Sequence, residues 1–232
     1  MLKKITSGIF TGNQLKIIAI IAMTCDHAGK ILFPDIAILQ IIGRTAFPIF
    51  AYMIAEGCKY TKNRKKYLAT MTVIAFTIQI VYYIAIKSMY MSIFVTFSMS
   101  IALIYTADYA KENMNLKSIA IILTAFALVF FITQILPGFF EDTDFWIDYA
   151  FLGVMLPVGV YFANTKPLKL LIASVIITAD CILSGGIQWY ALLALPLIAL
   201  YNGRRGTAKL KYMFYMYYPF HLAVIYVIAL MI

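Results

Sequence analysis

"LKIIAIIAMTCDHAGKILFP", residues 15–34, decides how the rest of the chain is read. It is apolar over a membrane-spanning length, since about 20 helical residues cross the hydrocarbon core. Yet Asp26 and His27 stand side by side within it. Ionisable groups at membrane depth are expensive, so they face a partner or a wet cavity rather than lipid. Such a pair marks a functional site by default.

Working outward, comparable runs recur near 36–57, 67–87, 91–109, 118–137, 144–163, 168–184, 187–203 and 211–231. The chain of 232 residues is 63% hydrophobic and 12% charged, which excludes a soluble domain of this length. The expectation is an all-α fold, a polytopic transmembrane helical bundle of about nine spans. A short segment, 1–14, precedes a single membrane domain, 15–232. The runs near 168 and 187 are the shortest, with "LSGG" (183–186) as the turn between them.

A net charge of +9 invites a nucleic-acid partner, but the pattern argues against one. The basic residues sit in short clusters between apolar runs. Lys59, Lys62, Arg64, Lys65 and Lys66 follow the second run, and Lys111 and Lys117 the fourth. Lys166 and Lys169 follow the sixth, and Arg204, Arg205, Lys209 and Lys211 the eighth. The loop after the fifth is acidic, with Glu141, Asp142 and Asp144. The positive-inside rule then makes the basic loops and the N-terminus cytoplasmic, in a multi-pass protein of the cell (plasma or inner) membrane. The N-terminus lacks a small-residue cleavage signal, so no removed signal peptide is expected. Cys25 and Cys181 fall within spans and Cys58 at the cytoplasmic surface. Their spacing suggests neither a disulfide framework nor a thiolate metal site.

Counting roughly 1.5 Å per residue from each cytoplasmic helix end places His27, Arg44, Asp180 and His221 roughly 15–20 Å up four different helices. The layer then holds a fixed cation, two carboxylates and two bases able to exchange a proton near neutral pH. Asp26 or Asp180 can pair with Arg44. A purely structural ion pair fits Arg44 and Asp180 as well, and a backbone contact beside Pro219 fits His221. Lys16 shares the helix face of His27 at the cytoplasmic mouth, as a ligand contact or a snorkelling lysine. No two of Asp26, His27, Asp180 and His221 have helical ligand spacing, and no zincin signature is present, so no metal is expected.

Three segments carry a resemblance: 15–34, "IIGRTAFPIFAYMIAEGCKYTKNRKKYL" (41–68) and "YMFYMYYPFHLAVIYVI" (212–228). Together they resemble the TraX family of membrane proteins, which acetylate the amino terminus of conjugative pilin. That family is distantly similar to integral-membrane acyltransferases. These carry an arginine early in the first span and a histidine about three turns later. Here Lys16 and His27 hold the matching places, with a lysine where the pattern has arginine.

The resemblance implies an acetyl- or acyltransferase that moves an acetyl group from acetyl-CoA to an amine or hydroxyl of a peptide, sugar or lipid acceptor. The residues suit that chemistry. Acyl transfer needs a base for the acceptor proton and positive charge near the developing oxyanion. His27 is the expected base, oriented by Asp26 or Asp180. Arg44 serves charge stabilisation or carboxylate positioning, and His221 is a second base or relay. Lys16, Lys59, Arg64, Arg204 and Arg205 are the candidate cations for the phosphates of the coenzyme. A proton-coupled transporter or flippase could use the same buried groups, and a non-catalytic subunit of a conjugation or secretion system could carry them as packing.

Overall fold

The computed structural model describes residues 8–208 and 210–232, and their side chains except at 211, 212 and 215. The first seven residues of the expected cytoplasmic segment, Lys209 and the side chain of Lys211 lie outside the described residues.

Helices carry the fold. They are α1 (Gly12–Ile31), α2 (Ala37–Gly43), α3 (Ala46–Tyr60), α4 (Arg64–Ile86), α5 (Ile93–Glu112), α6 (Leu116–Phe130), α7 (Ala150–Phe162), α8 (Lys166–Ser184), α9 (Ala194–Ala199) and α10 (Lys211–Ala229). A π turn (Phe131–Ile135) and a 3-10 turn (Leu136–Phe139) extend α6, and a 3-10 stretch (Gly186–Leu193) leads into α9. No strand occurs among the described residues.

Five stretches are long and apolar enough to cross a membrane: Ala37–Tyr60, Arg64–Ile86, Ile93–Glu112, Leu116–Phe139 and Lys166–Ser184. Ala150–Phe162, Gly186–Ala199 and Met216–Ala229 are apolar but shorter. α1 has the length, at 20 residues, but Lys16, Asp26 and Lys30 lower its hydropathy. The protein is therefore an all-helical membrane protein.

Prolines shape two of the expected runs. A proline has no N–H, and its ring collides with the carbonyl four residues earlier. Pro48 stands four residues after Arg44, and the run 36–57 breaks at Arg44–Thr45 into α2 and α3. Pro137 stands four after Thr133, where α6 gives way to the π turn. The run expected at 168–184, among the shortest by sequence, is a full 19-residue helix capped by the Thr165 hydroxyl, with Pro167 in its first turn. Near 144 the expected run begins as turns, and helix starts only at Ala150, after Tyr149 at φ 57. Cys58, expected at the surface, is 1% exposed.

The chain forms two compact units, Met1–Met53 with Thr165–Ile232, and Ile54–Asn164. In the first unit, α1 and α2 make a tight antiparallel hairpin. A Cβ on Gly29 would fall 2.9 Å from the Leu39 Cβ, and one on Gly43 would fall 2.3 Å from the Asp26 Cβ. Only glycine permits this approach, as between closely packed membrane helices. α1 begins at a capping box between Thr11 and Gln14. The N–H groups of Gly12 and Asn13 donate to the carbonyls of Arg204 and Arg205 at 2.8 and 2.9 Å.

Contacts between α1 and α10 run in the same chain order: Lys16 with Phe214, Thr24 with Tyr217, His27 with His221. The two helices are therefore parallel. α8 runs the same way, from Lys166 beside Tyr201 near the start of α1 to Asp180 near Gln188. α2–α3 and the stretch 186–199 return in the opposite sense, from Arg44 and Gln188 toward Met53 and Leu200, which border Gly12 and Phe10.

In the second unit, α5 is the buried element. Ser92, Thr96 and Ser100, spaced four apart, are each 0% exposed. Thr96 donates to the Asp148 carbonyl at 2.6 Å and Ser100 to that of Val154 at 2.9 Å. Small hydroxyl residues let α5 and α7 approach closely. In the loops of this unit, Asp144 accepts from the Ser88 hydroxyl at 2.5 Å and from the Met89 N–H at 2.7 Å.

Candidate active site

The polar layer of the first unit draws on α1, the α2–α3 junction, α8 with the turn after it, and α10. Asp26 and His27 are neighbours on α1, so their side chains diverge by about 100° around the helix. That divergence sends them into two connected networks.

Asp26 turns toward α2. Arg44 Nη2 donates to its Oδ1, and Lys30 Nζ lies 2.7 Å from Oδ2, one turn along the same helix. Arg44 Nη1 then donates to Gln188 Oε1 at 3.3 Å, and Gln188 Nε2 donates to Asp180 Oδ2 at 2.8 Å. Asp26 is thus the carboxylate that pairs with Arg44 directly, and Asp180 reaches it through an amide. Asp26 and Gln188 are 7% and 6% exposed. The backbone carbonyl of Gln188 accepts from the Cys181 thiol at 3.1 Å, which pins the turn to α8. A planar guanidinium suits such a node, because it donates to two partners in one plane.

His27 turns toward α10. Its Nδ1 lies 2.7 Å from His221 Nε2, and His221 Nδ1 lies 2.9 Å from the Tyr217 carbonyl. The partners assign the hydrogens. A carbonyl only accepts, so His221 carries its proton on Nδ1 and offers a lone pair on Nε2. His27 donates to that lone pair from Nδ1, which leaves its own Nε2 unprotonated. Were both rings doubly protonated, two N–H groups would face each other at 2.7 Å. Tyr217 stacks on His221 at 5.2 Å and 9°, and Tyr218 meets His27 edge-on at 6.0 Å. The Tyr217 hydroxyl lies 2.9 Å from that of Thr24, which itself donates to the Ile20 carbonyl. The arrangement can hold one imidazole in one tautomer with a basic nitrogen available.

His27, His221, Asp26, Arg44 and Asp180 therefore come together, as their counted depths suggest. The orienting partner of His27 is His221; Asp26 is engaged by Lys30 and Arg44, and Asp180 by Gln188. The candidate cations divide. Lys16, Arg204 and Arg205 belong to the first unit near the start of α1. Lys59 and Arg64 belong to the second. There Arg64 pairs with Asp108 at 2.7 Å and lies over Tyr105, while Tyr161 donates to the same carboxylate at 2.6 Å. Sequence reasoning missed Lys30, Gln188, Thr24 and Tyr217. Lys30 was signalled by its i, i+4 spacing from Asp26, and Gln188 by being a lone amide in an apolar run.

The TraX protein family matches residues 11–229, from the start of α1 to the end of α10. The chain belongs to the TraX family. Of curated proteins, this TraX chain is similar to a probable fimbrial assembly protein, FimC of serogroup H1, from Dichelobacter nodosus. The two are 25% identical over 93% of this chain and 94% of that one. A second relative, the uncharacterized protein RP591 of Rickettsia prowazekii (strain Madrid E), is 50% identical over 40 residues, 17% of this TraX chain and 16% of its own length. No solved structure matches significantly.

Proposed function

We propose that this TraX-family protein is an acetyltransferase of the inner cell membrane. It moves the acetyl group of acetyl-CoA to an amine or hydroxyl of a peptide or other cell-envelope acceptor. The observation that carries the reading is the His27–His221 pair, whose tautomers leave His27 Nε2 as a base. Family membership and the fimbrial assembly relative support an acceptor that belongs to a surface fibre or its assembly machinery.

The acceptor N–H or O–H attacks the thioester carbonyl while His27 Nε2 takes its proton. A C–N or C–O bond forms and the carbonyl oxygen gains negative charge. Collapse breaks the C–S bond, and the imidazolium returns the proton to the departing thiolate. His221 is a positioning residue, because it touches only the far nitrogen of His27. Arg44, already donating to Asp26 and Gln188, holds the carboxylates in place and contributes positive potential at the site.

Nine crossings with a cytoplasmic N-terminus remain our topology. Five segments of the first unit alternate in direction, which supports reading each as a crossing; we count α4, α5, the extended α6 and α7 as the other four. The parallel run of α1 and α10 supports an odd total. The basic loops support the orientation.

The test is thiol release. Purified protein in lipid nanodiscs, given acetyl-CoA and envelope material from its host, should liberate free coenzyme thiol and leave an acetyl mass shift on an acceptor. Equal thiol release by the wild type and His27→Ala would remove the proposal.

A further inference from the structure

Two hydrogen-bonded rungs join α1 to α10, and the mechanism uses only one of them. The first is His27 with His221 at 2.7 Å. The second joins the hydroxyls of Thr24 and Tyr217 at 2.9 Å. Thr24 stands three residues before His27 on α1, and Tyr217 four before His221 on α10. Each pair therefore shares a helix face about one turn apart. Because the two helices run parallel, the rungs lie side by side and close a ring of four residues.

The hydrogens of the second rung follow from its partners. Thr24 has one hydroxyl proton and gives it to the Ile20 carbonyl at 2.9 Å. The Tyr217 hydroxyl is therefore the donor to Thr24. That bond holds the tip of the Tyr217 ring. The ring in turn stacks on His221, with centroids 5.2 Å apart and planes 9° apart. A flip of the His221 ring about its Cβ–Cγ bond sweeps its edges out of plane, into space the stacked phenol occupies. The Tyr217 carbonyl meanwhile accepts from His221 Nδ1 at 2.9 Å. One residue thus grips His221 by its face and by its edge. The grip passes on to His27. The two imidazole planes lie 22° apart with centroids at 5.0 Å, so the His27 Nδ1–H meets the Nε2 lone pair of His221 close to the ring plane. A phenylalanine would pack here with no polar group to satisfy; what the phenol adds is an anchor for the ring.

We propose that Tyr217, anchored by Thr24, is the positioning residue that sets which nitrogen of His27 is basic. Its value to catalysis rests on the acetyl-transfer reading; its effect on the tautomer does not.

The chain has two histidines, and this pair accounts for both. Full-length protein labelled with 15N-histidine, purified without a histidine tag and held in nanodiscs, therefore gives ring-nitrogen signals from these two residues alone. Free neutral histidine favours a proton on Nε2. The wild type should instead carry its protons on Nδ1 of both rings. Thr24→Val and Tyr217→Phe should each restore Nε2–H signal. Each should also lower kcat for thiol release by about tenfold, the effect of one hydrogen bond, and leave KM for acetyl-CoA unchanged. The double variant should lose no more than either single one, because both remove the same rung. Thr24→Ser, which returns a hydroxyl, should recover most of the loss. The same spectral changes in protein that releases no thiol keep Tyr217 as the residue that sets the tautomer and remove the transferase reading. Variant spectra identical to the wild type, a wild type with its protons on Nε2, or losses that add in the double variant overturn the proposal.

Discussion

His221 Nε2 accepts a hydrogen bond from His27 Nδ1 across 2.7 Å, two residues 194 apart in the chain. One ring fixes the other, so the two histidines do different work despite sharing a side chain type. Their variants should separate accordingly.

His27→Ala should reduce thiol release by ~100- to 10,000-fold, the usual cost of losing a general base. Its melting temperature in detergent should stay close to wild type, since the change removes one hydrogen bond to His221 and leaves the Asp26–Arg44 pair intact. Single-turnover measurement of coenzyme release, alongside a melting curve, checks both halves.

His221→Ala should lower kcat by less than His27→Ala and leave KM for acetyl-CoA unchanged. His221→Gln should recover part of the rate, because an amide oxygen can still accept from His27 Nδ1. Equal loss in the Ala and Gln variants would mean that the ring of His221 does more than hold its neighbour.

Arg44→Ala should cost stability as well as rate. It leaves Asp26 with Lys30 alone and frees Gln188 at one end. Breaking a buried ion pair typically costs about 3–5 kcal/mol. Arg44→Lys should recover only part, since a lysine cannot fork to Asp26 and Gln188 in one plane. Thermal unfolding of both variants decides.

Gly43→Ala should destabilise by collision with Asp26, including the Oδ1 that accepts from Arg44, which the new Cβ would approach to 2.6 Å. Its new methyl would stand 2.3 Å from the Asp26 Cβ, so α1 and α2 must separate. Overpacking of this kind costs about 1–3 kcal/mol. The rate should fall too, because Asp26 moves with α1.

Topology can be read at Lys59, which is exposed where Cys58 is buried. With the native cysteines replaced, Lys59→Cys should resist an impermeant thiol reagent added outside intact cells and react in inverted vesicles. Labelling from outside would reverse the orientation.

Much of this site was legible from polar residues stranded in apolar runs. Asp26, His27, Arg44, Asp180 and His221 stood out because a membrane makes each expensive, and counting 1.5 Å steps brought them to one level. Partner choice was not legible. Which carboxylate meets Arg44 depends on Gly43 letting α2 touch Asp26, a matter of interhelical distance that no spacing along one helix reveals. The break at Arg44 was written in Pro48, but hydropathy averages across a proline. The run at 144–163 misled for a similar reason: apolar content measured its length, whereas Tyr149 and Ala150, both at positive φ, set where helix begins.

The parallel pairing of α1 with α10 also sets an order of events in biosynthesis. His27 emerges from the ribosome roughly 10 to 40 s before His221, at about 5–20 residues per second over the 194 residues between them. During that interval Asp26 can already meet Arg44, so the structural half of the layer matures first. The nascent chain cannot fix its base until the last helix docks. Under the acetyl-transfer proposal, an immature chain in the membrane is therefore kept from consuming the donor, and quality control of α10 insertion becomes control of activity.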